Sequence, residues 1–338
     1  MNRIIASDAE MLSSELDSKL LQFEKVVILG CTGMLGNYFS NVMSHYYSKR
    51  NSLRAPSVLG VSRPSSKKCE SIQENFPGVF KQIDYSELPE MLRKAGNALV
   101  IHCASPSSIQ EINIDPVGAV FTNLEITSTV ARHLTDSGGH IAFLSSGEVY
   151  GDTAPTPTRE ADYSVFNHLS SRGAYPELKK SAEVILDSYS RAYPEISATS
   201  LRVFHTFGPG LRIDDPRIFG VVCKAIIEKT EINLNSDGAT LRTFMYSRDL
   251  LSAILTTIGI PNFEVYNVAG NDCMSILDFC NLSLEFGVPK VNLNVSSDSV
   301  PRNSQVGLAD TSKLRALGWH PGVSTLEAIE RTFLSLTE

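Results

Sequence analysis

Apolar residues along this chain follow two alternating patterns. Short apolar runs of strand length are separated by longer stretches in which apolar residues return every three or four positions. The apolar runs lie at residues 26–29, 57–61, 79–83, 98–103, 141–145 and 198–204, and the helical stretches at 34–47, 88–95, 117–134 and 175–193. This alternation predicts an α/β fold: a Rossmann-type, doubly wound parallel sheet with helices on both faces.

Two regions depart from that alternation. Residues 9–24 have apolar positions three or four apart, which predicts one amphipathic helix at the N-terminus. Beyond the glycine-proline loop at 208–210 the alternation stops, which indicates a smaller mixed α+β substrate-binding lobe. The expected organisation is an N-terminal helical extension over 1–24, a dinucleotide-binding domain over 25–205 to which a segment at about 245–268 returns, and a lobe formed mainly by 206–338.

Composition narrows the class of protein. The 338 residues are 42% hydrophobic and carry a formal charge of −7, which is typical of a globular protein and argues against nucleic acid or an anionic membrane as partner. The six cysteines form no CxxC pair and no Cys/His group has zinc spacing, so no metal is expected. No apolar run approaches the ~20 residues of a membrane span, and no secretory signal is present. These features predict a cytoplasmic protein.

A glycine-rich turn follows the first predicted strand directly. Gly30, Gly33 and Gly36 have GxxGxxG spacing and open the first long helix. Glycines allow the backbone to approach a pyrophosphate, and the helix N-terminus favours its negative charge. The turn therefore predicts dinucleotide binding; the alternative is a tight βα turn without a ligand.

The end of the second strand bears on the kind of dinucleotide. An acidic residue there would bind the ribose 2′-hydroxyl of NAD, but this chain has Arg63 followed by Ser65 and Ser66. That sequence suits a 2′-phosphate and slightly favours NADP over NAD; the alternative is a solvated arginine stacked on adenine. After the third strand, Asp84 either accepts a hydrogen bond from the adenine amino group or caps a helical turn.

Candidate catalytic residues follow the fifth strand and lie in the helix after it. Tyr175 and Lys179 have YxxxK spacing, which places both side chains on one helical face. A nearby ammonium should lower the tyrosine pKa and make it a usable base for a hydroxyl proton. Ser146 ends a strand at the edge where the cofactor crevice is expected, so it could share the substrate hydroxyl with Tyr175.

Taken together, these motifs resemble the extended short-chain dehydrogenase/reductases, in particular their nucleotide-sugar branch, the NAD-dependent epimerase/dehydratase family. GxxGxxG, SSxxVYG at 145–151 and YxxxK occur in the family's order and spacing. Further matches lie at 202–209, 242–249, 266–270 and 317–319, so the resemblance extends over nearly the whole chain from about residue 24. It implies an NAD(P)-dependent enzyme acting on a nucleotide-diphosphate sugar.

Within that branch the chain most resembles the UDP-glucuronate decarboxylases, through residues 104–107, 115–117 and 171–175. The resemblance implies that Ser146, Tyr175 and Lys179 carry out hydride transfer at sugar C4. Glu148 would be a second acid/base near C5, with a solvated loop carboxylate as the alternative. Asn123 corresponds to the family asparagine that holds the lysine through water.

Three departures from the family bear on the reaction. Gly147 replaces the aspartate of the 4,6-dehydratases, which argues against simple dehydration. His205 stands where the family usually has a substrate-holding asparagine, so the sugar contacts should differ. The decarboxylases commonly have paired arginines and a proline downstream, whereas this chain has a single arginine, Arg302, after Pro301.

The leading prediction is C4 oxidation of a nucleotide sugar followed by decarboxylase-like chemistry. A nucleotide-sugar 4-epimerase, a 4-keto reductase and a non-catalytic NAD(P)-sensing scaffold are the alternatives. A homodimer is expected through a four-helix bundle, because helices 117–134 and 175–193 both have apolar residues on more than one face.

The candidate cofactor-binding residues are Gly30, Thr32, Gly33, Met34, Leu35, Gly36, Arg63, Asp84, Tyr85, Cys103, Ala104, Ser105, Tyr175 and Lys179. The candidate substrate-binding residues are Ser105, Ser107, Glu148, Arg172, His205, Arg212, Arg217, Arg242 and Arg302.

Overall fold

The fold is described from a computed structural model. It describes residues 2–50, 57–64, 66, 68–106, 109–151, 155–163, 167, 173–286, 291–295 and 308–338. The strands are β1 Lys25–Leu29, β2 Val58–Ser62, β3 Phe80–Asp84, β4 Ala98–His102, β5 Gly139–Ser146, β6 Ile196–Val203, β7 Thr206–Phe207, β8 Ile232–Leu234, β9 Leu241–Thr243, β10 Met245–Tyr246, β11 Phe263–Val268, β12 Cys273–Ser275 and β13 Leu293–Val295. The helices are α1 Arg3–Met11, α2 Ser13–Leu20, α3 Met34–Ser48, α4 Glu70–Asn75, α5 Leu88–Arg93, α6 Ile109–Ile114, α7 Pro116–Val120, α8 Ile126–Leu134, α9 Ala174–Ala192, α10 Ile218–Glu228, α11 Ser247–Thr257, α12 Ile276–Leu284, α13 Ser312–Arg315 and α14 Thr325–Thr337.

The central sheet has seven strands, all parallel, in the order β3-β2-β1-β4-β5-β6-β11. The inner strands are apolar throughout because helices cover both faces, as β1, β2 and β4 illustrate. The strand order reverses between β1 and β4, and ligands of such sheets bind in the crevice at this switch point. The predicted Rossmann-type α/β fold is confirmed, and each predicted strand lies within a few residues of its observed position.

Two apolar clusters flank the sheet, one on each face. The first contains Val26 and Ile28 with α1–α3 and α11, and the second contains Val27 and Leu29 with α5, α8 and α9. A third cluster lies apart from them and includes the stacked rings of Phe207, Phe219, Phe244 and Phe279. It holds together α10, α12, α14 and the short strands β8 and β10. The exact domain boundaries stay a prediction.

The N-terminal segment differs from its prediction. It forms two helices, α1 and α2, where one helix over 9–24 was expected, and the chain turns at Leu12. Leu12, Leu16 and Leu20 are buried against the first face of the sheet, which explains the apolar spacing. The earlier start at Arg3 is fixed by Asn2, whose side chain accepts from the N–H groups of Ile4 and Ile5.

A buried carboxylate ties this N-terminal segment to the rest of the fold. Asp8 is fully buried and accepts hydrogen bonds from the hydroxyls of Tyr38 at 2.9 Å and Tyr246 at 2.8 Å. Its second oxygen accepts from Arg331 Nη1 at 2.9 Å. Burial raises the pKa of Asp8, although its donors oppose that shift. Asp8 thus links α1 to the glycine-turn helix α3, to β10 and to α14.

The predicted helix 117–134 is interrupted in the middle. α7 is followed by a π-helical turn, Phe121–Glu125, and then by α8. This irregularity lies at the candidate Asn123, as π turns often do at functional sites. The apolar residues of this helix and α9 lie on more than one face, as predicted: Val130 and Ala182 are fully buried within the chain, whereas Val120 and Val184 are exposed.

Candidate active site

The glycine-rich turn lies between β1 and α3 at the switch point. Gly30 has a φ of +81°, and a Cβ there would lie 2.8 Å from the Ala104 Cα, so only glycine fits at this close approach. A Cβ on Gly36 would lie 2.1 Å from the Gly30 carbonyl oxygen, which shows how tightly α3 packs onto the turn. The turn therefore has no space for larger side chains at these two positions.

The N-terminus of α3 is suited to an anion. Gly33 is its cap residue, and no side chain caps the first turn. Helix N-termini carry unpaired N–H groups and a partial positive charge, which together favour phosphate. Thr32, Met34 and Leu35 belong to this turn, so the residues present fit the pyrophosphate of a dinucleotide. The Arg217 guanidinium also reaches the turn, with Nη2 3.9 Å from the sulfur of Met34.

Arg63 follows β2 and points across to the helix after β4. Its Nη1 lies 2.8 Å from the Asp115 carboxylate, and the other carboxylate oxygen accepts from the Gly118 N–H at the start of α7. Both side chains are about half exposed. Asp115 was missed as a site residue in the sequence, although an Asp-Pro pair opening a helix signals a cap. The pairing places a negative charge where a 2′-phosphate would have to approach Arg63.

Asp84 and Tyr85 follow β3 beside this pair. Asp84 accepts from the backbone N–H of Ser86 at 2.7 Å, so it occupies the turn-capping role that was the alternative for it. Tyr85 packs edge-on against Phe121, with 5.9 Å between ring centroids. An open cleft of about 670 Å³ runs along the ends of β2 and β3 and is lined in part by Arg63 and Asp84.

The three predicted catalytic side chains lie together where β5 ends. Ser146 hydrogen-bonds to the phenol oxygen of Tyr175, and its Oγ accepts the Glu148 N–H at 3.1 Å. Lys179 lies one helical turn below, with Nζ 5.8 Å from the Tyr175 ring centroid. It donates to the Leu144 carbonyl oxygen at 2.8 Å. Glu148 is exposed and close enough to Tyr175 to raise the pKa of its phenol.

The charge states of this cluster differ from the sequence-based expectation. Burial raises the pKa of Tyr175 to about 12, while Ser146 and Arg217 act in the opposite direction. Burial also lowers the pKa of Lys179 to about 7, so its ammonium is only partly populated near neutrality. The expected lowering of the Tyr175 pKa is therefore wrong for this arrangement, because burial of the phenol outweighs the neighbours that lower its pKa.

Asn123 lies in the π-helical turn and is fully buried. Its Nδ2 donates to the Ala119 carbonyl at 2.8 Å and to Ser105 Oγ at 3.2 Å. Its Oδ1 has no protein partner among the residues that the structure describes. A buried amide oxygen without a partner fits the predicted water-mediated role, which stays a prediction.

Residues 103–105 follow β4 and border the cluster. Cys103 lies close enough to Lys179 for each to shift the pKa of the other. Ala104 contacts the glycine-rich turn at Gly30, and Ser105 accepts from Asn123. This stretch therefore lies between the glycine-rich turn and the catalytic cluster, which is the position expected for cofactor-binding residues.

Opposite the cluster, the second lobe contributes His205 and two arginines. Burial, together with the charges of Arg242 and Arg217, lowers the pKa of His205 to about 3, so its imidazole is neutral. Its Nδ1 is buried without a protein partner among the described residues. Arg217 acts on the pKa values of both Tyr175 and His205, so its positive charge lies near both side chains. Asp215 holds Arg217 through a 2.7 Å ion pair and was not anticipated from the sequence.

The structure does not bring every predicted site residue into this group. Arg212 is exposed and pairs with Asp214 at 2.6 Å, so the structure gives no support for its predicted diphosphate role. Ser107, Arg172 and Arg302 lie outside the described residues. Among the described residues, no group of three or more His, Cys, Asp or Glu side chains could hold a metal ion.

Comparison with known proteins identifies the family. The profile of the NAD dependent epimerase/dehydratase family matches residues 26–269, well over half of the chain. The chain belongs to this family, which confirms the family and the enzyme class predicted from the motifs.

Curated relatives include UDP-glucuronic acid decarboxylase 2 of Arabidopsis thaliana, 23% identical over 90% of this chain and 66% of the relative. The UDP-glucuronic acid decarboxylase 1 of Xenopus tropicalis is 23% identical over 69% of this chain and 55% of its own length. The chain thus spans about one half to two thirds of the length of these relatives.

Solved structures share the fold at low sequence identity. The UDP-glucose 4-epimerase of Thermotoga maritima with UDP-glucose superposes with a TM-score of 0.74 at 22% identity, covering 93% of this chain and 98% of that one. The UDP-glucuronic acid 4-epimerase of Bacillus cereus with UDP-glucuronic acid and NAD gives 0.71 at 21% identity, covering 93% and 99%. Within the described part of this chain, no helix is long and apolar enough to cross a membrane.

Proposed function

We propose that this protein oxidises the 4-position of a UDP-linked hexuronate with bound NAD(P) and then decarboxylates the resulting 4-keto sugar. The observation that carries the proposal is the cluster of Ser146, Tyr175 and Lys179 at the end of β5, with Glu148 beside it. Residues 103–105 connect the cluster to the glycine-rich turn, since Cys103 lies near Lys179 and Ala104 contacts Gly30. The decarboxylases among the relatives support the reaction, and the NAD- and UDP-sugar-bound epimerase structures support the cofactor and substrate class.

The residues of the cluster divide the first step between them. When bound, the nicotinamide supplies a reversible two-electron acceptor for sugar C4. Tyr175 takes the proton of the sugar 4-hydroxyl, and Ser146, hydrogen-bonded to Tyr175, holds that hydroxyl in place. Lys179 lies one turn below Tyr175, where its positive charge, when present, favours the phenolate over the phenol. Arg217 also favours the phenolate, because its positive charge lowers the Tyr175 pKa.

The second step depends on Glu148. A 4-keto uronate is a β-keto acid, so its carboxylate leaves as carbon dioxide and the electron pair is delocalised into the 4-keto group. Glu148 is exposed toward the crevice near Tyr175, where it positions the sugar and exchanges a proton at C5. Arg217 and Arg242, which both act on His205, supply positive charge for the diphosphate. Return of the electrons to C4 regenerates the cofactor.

A sugar-nucleotide panel tests this reaction. Purified protein is incubated with NAD and, in turn, UDP-glucuronate, UDP-glucose and UDP-N-acetylglucosamine, and the products are weighed by mass spectrometry. Loss of carbon dioxide from UDP-glucuronate alone supports the proposal. An isomer of unchanged mass favours the 4-epimerase alternative. The similar solved structures of 4-epimerases support that alternative. A product heavier by two hydrogens favours the reductase, and no turnover with tight dinucleotide binding favours the sensing scaffold.

Replacing Glu148 by glutamine separates the two steps. Glu148→Gln keeps the shape and hydrogen bonding of the side chain but removes the base. We expect C4 oxidation to proceed and the next step to stall, so that a 4-keto sugar and reduced cofactor accumulate in a single turnover. Mass spectrometry and the absorbance of the reduced ring measure them. Turnover close to that of the wild type would exclude C5 chemistry at Glu148 and favour the epimerase or reductase.

We infer a slight preference for NADP from Arg63, whose guanidinium is paired with Asp115 in the absence of a 2′-phosphate. Arg63→Ala should weaken NADP binding far more than NAD binding, because only NADP has a 2′-phosphate. Asp115→Asn is the matched variant: it removes the competing carboxylate and should strengthen NADP binding selectively. Fluorescence titrations with both cofactors measure the ratio. Equal effects on the two cofactors would show that Arg63 does not contact the 2′-phosphate.

We propose a homodimer formed through α7–α9, in which the helices of two copies pack as a four-helix bundle. The exposed apolar side chains of Val117, Val120 and Val184 on these helices support it. Light scattering over a range of concentrations should give twice the chain mass, and Val184→Glu should give the monomer. A wild-type monomer at all concentrations would refute the dimer.

We also propose the cytoplasm as the compartment, since the six cysteines are free.

A further inference from the structure

We propose that Cys31 and Cys69 are a redox-sensitive pair that closes to a disulfide beneath the dinucleotide site and thereby weakens dinucleotide binding. Formation of the bond follows from the geometry of the two thiols. Its effect on the cofactor rests on the proposed function, because it requires that the glycine-rich turn binds a dinucleotide.

The two sulfurs face each other from separate segments of the chain. Cys31 follows Gly30 in the glycine-rich turn, and Cys69 is the residue before α4. Their Sγ atoms are 3.8 Å apart, and Cys69 Sγ is also 3.5 Å from the Cys31 carbonyl oxygen. A disulfide needs a sulfur–sulfur distance of about 2.05 Å, so less than 2 Å of approach closes the bond.

A chain of hydrogen bonds positions Cys69. The Cys69 N–H donates to Gln82 Oε1 at 2.6 Å, and Gln82 Nε2 donates to Ser62 Oγ at 2.8 Å. Ser62 in turn lies close enough to the Cys31 thiol to lower its pKa. Ser62 and Gln82 both line the open cleft of about 670 Å³ at the ends of β2 and β3. The pair is therefore buried immediately below a surface that small oxidants reach.

The two thiols are chemically unequal. The hydrogen bond between them lowers the pKa of Cys69, which burial opposes, and raises the pKa of Cys31. Cys69 also lies nearer the surface, because its neighbours Lys68 and Glu70 line the cleft whereas Cys31 is fully buried, so Cys69 is the sulfur that reacts first, as the thiolate. Nothing in the proposed sugar chemistry uses either of them.

A peroxide is the oxidant that this arrangement suits. The Cys69 thiolate attacks one peroxide oxygen, the O–O bond breaks, and Cys69 becomes a sulfenic acid while hydroxide leaves and takes up a proton as water. The Cys31 sulfur then attacks the Cys69 sulfur, the S–O bond breaks, and a second water leaves with the Cys31 proton. Two thiols and one hydrogen peroxide thus give one disulfide and two waters. A dithiol reverses the bond by thiol–disulfide exchange.

The disulfide would act on the cofactor through the glycine-rich turn. α3 packs so closely on the glycine-rich turn that a Cβ on Gly36 would lie 3.0 Å from the Cys31 Cα. Cys31 therefore cannot move without displacing the start of α3. Pulling Cys31 toward α4 shifts the N–H groups at the start of α3 that would hold the pyrophosphate. A misplacement of this size should weaken dinucleotide binding by about tenfold.

Peptide mapping of the full-length protein tests the bond. The protein is treated with increasing hydrogen peroxide, digested without reduction and analysed by mass spectrometry. We expect a linked pair of peptides that contains Cys31 and Cys69, lighter by two hydrogens and released by dithiothreitol. Cys69→Ser and Cys31→Ser should each abolish it, and Cys280→Ser, a buried cysteine in the other lobe, should not. Oxidation of the exposed Cys273 without the linked pair would overturn the proposal.

Titration with NADH by fluorescence tests the consequence. The oxidised protein should bind about tenfold more weakly than the reduced protein, dithiothreitol should restore binding, and Cys69→Ser should stay at the reduced value under peroxide. A disulfide with unchanged affinity would overturn the regulatory part. Reduced protein that binds no dinucleotide refutes the proposed function instead, and the peptide map then still decides whether the bond forms.

Discussion

Tyr175→Phe should lower turnover by roughly 10²-fold or more, the usual contribution of a general acid/base, while the protein still folds and binds its cofactor. The phenol interacts with Ser146, and it is the group to which the mechanism assigns the proton of the sugar 4-hydroxyl, whereas Glu148 is assigned to C5. Phenylalanine keeps the ring and removes only the oxygen. The measurement is steady-state turnover of the sugar nucleotide identified by the panel, together with a cofactor titration.

Tyr189→Phe serves as the matched control, because it makes the same change about four helical turns further along α9, where that ring stacks on Tyr193. It should leave turnover unchanged. The two variants also separate the steps: Tyr175→Phe should accumulate no 4-keto sugar, whereas Glu148→Gln should. Near-normal activity of Tyr175→Phe would rule out the proposed mechanism as a whole.

Asp8→Ala should lower the free energy of unfolding by about 3–5 kcal/mol, the usual cost of removing one partner from a buried ion pair. The substitution leaves Arg331 and the hydroxyls of Tyr38 and Tyr246 without their acceptor. These donors come from three distant parts of the chain, so the loss affects the whole fold and not one helix. Urea denaturation followed by circular dichroism measures the change.

Glu10→Ala provides the comparison on the same helix. Glu10 pairs with Lys49 at 2.8 Å, but both side chains are largely exposed, and such pairs contribute little. Its unfolding curve should coincide with that of the wild type. The stability of Asp8→Asn should fall between those of Asp8→Ala and Glu10→Ala. An amide oxygen still accepts hydrogen bonds from the two tyrosines, but the neutral amide no longer balances the charge of Arg331. An Asp8→Ala variant as stable as the wild type would show that the N-terminal helices do not brace the fold.

The sheet was predictable because its signals are local. Each strand lies in an apolar run bounded by polar residues, and burial on both faces leaves no other arrangement for such runs. The glycine turn and the YxxxK helix are also short-range patterns, so the catalytic cluster could be placed without knowing how the lobes pack. The N-terminal break at Leu12 could not be predicted, since the apolar spacing continues through it unchanged.

Long-range pairings account for most of what the sequence did not show. Asp115 pairs with Arg63, which is 52 positions earlier in the sequence. The residues that donate hydrogen bonds to Asp8 lie 30 to 323 positions after it. Such partners have no spacing signature in a single sequence. The pKa of Tyr175 was also mispredicted, because spacing identifies a neighbouring charge but not how deeply both groups are buried.

The π-helical turn at Phe121–Glu125 has a consequence for changes in chain length. Such a turn contains one residue more than an α-helical turn, and the following helix is rotated by about 100° as a result. Deleting a single residue within 121–125 would restore regular winding and rotate α7 against α8. Asn123 or its replacement would then turn away from Ser105, and Val130 would leave the core. A deletion that is usually harmless at a loop would here disturb the site and the packing together.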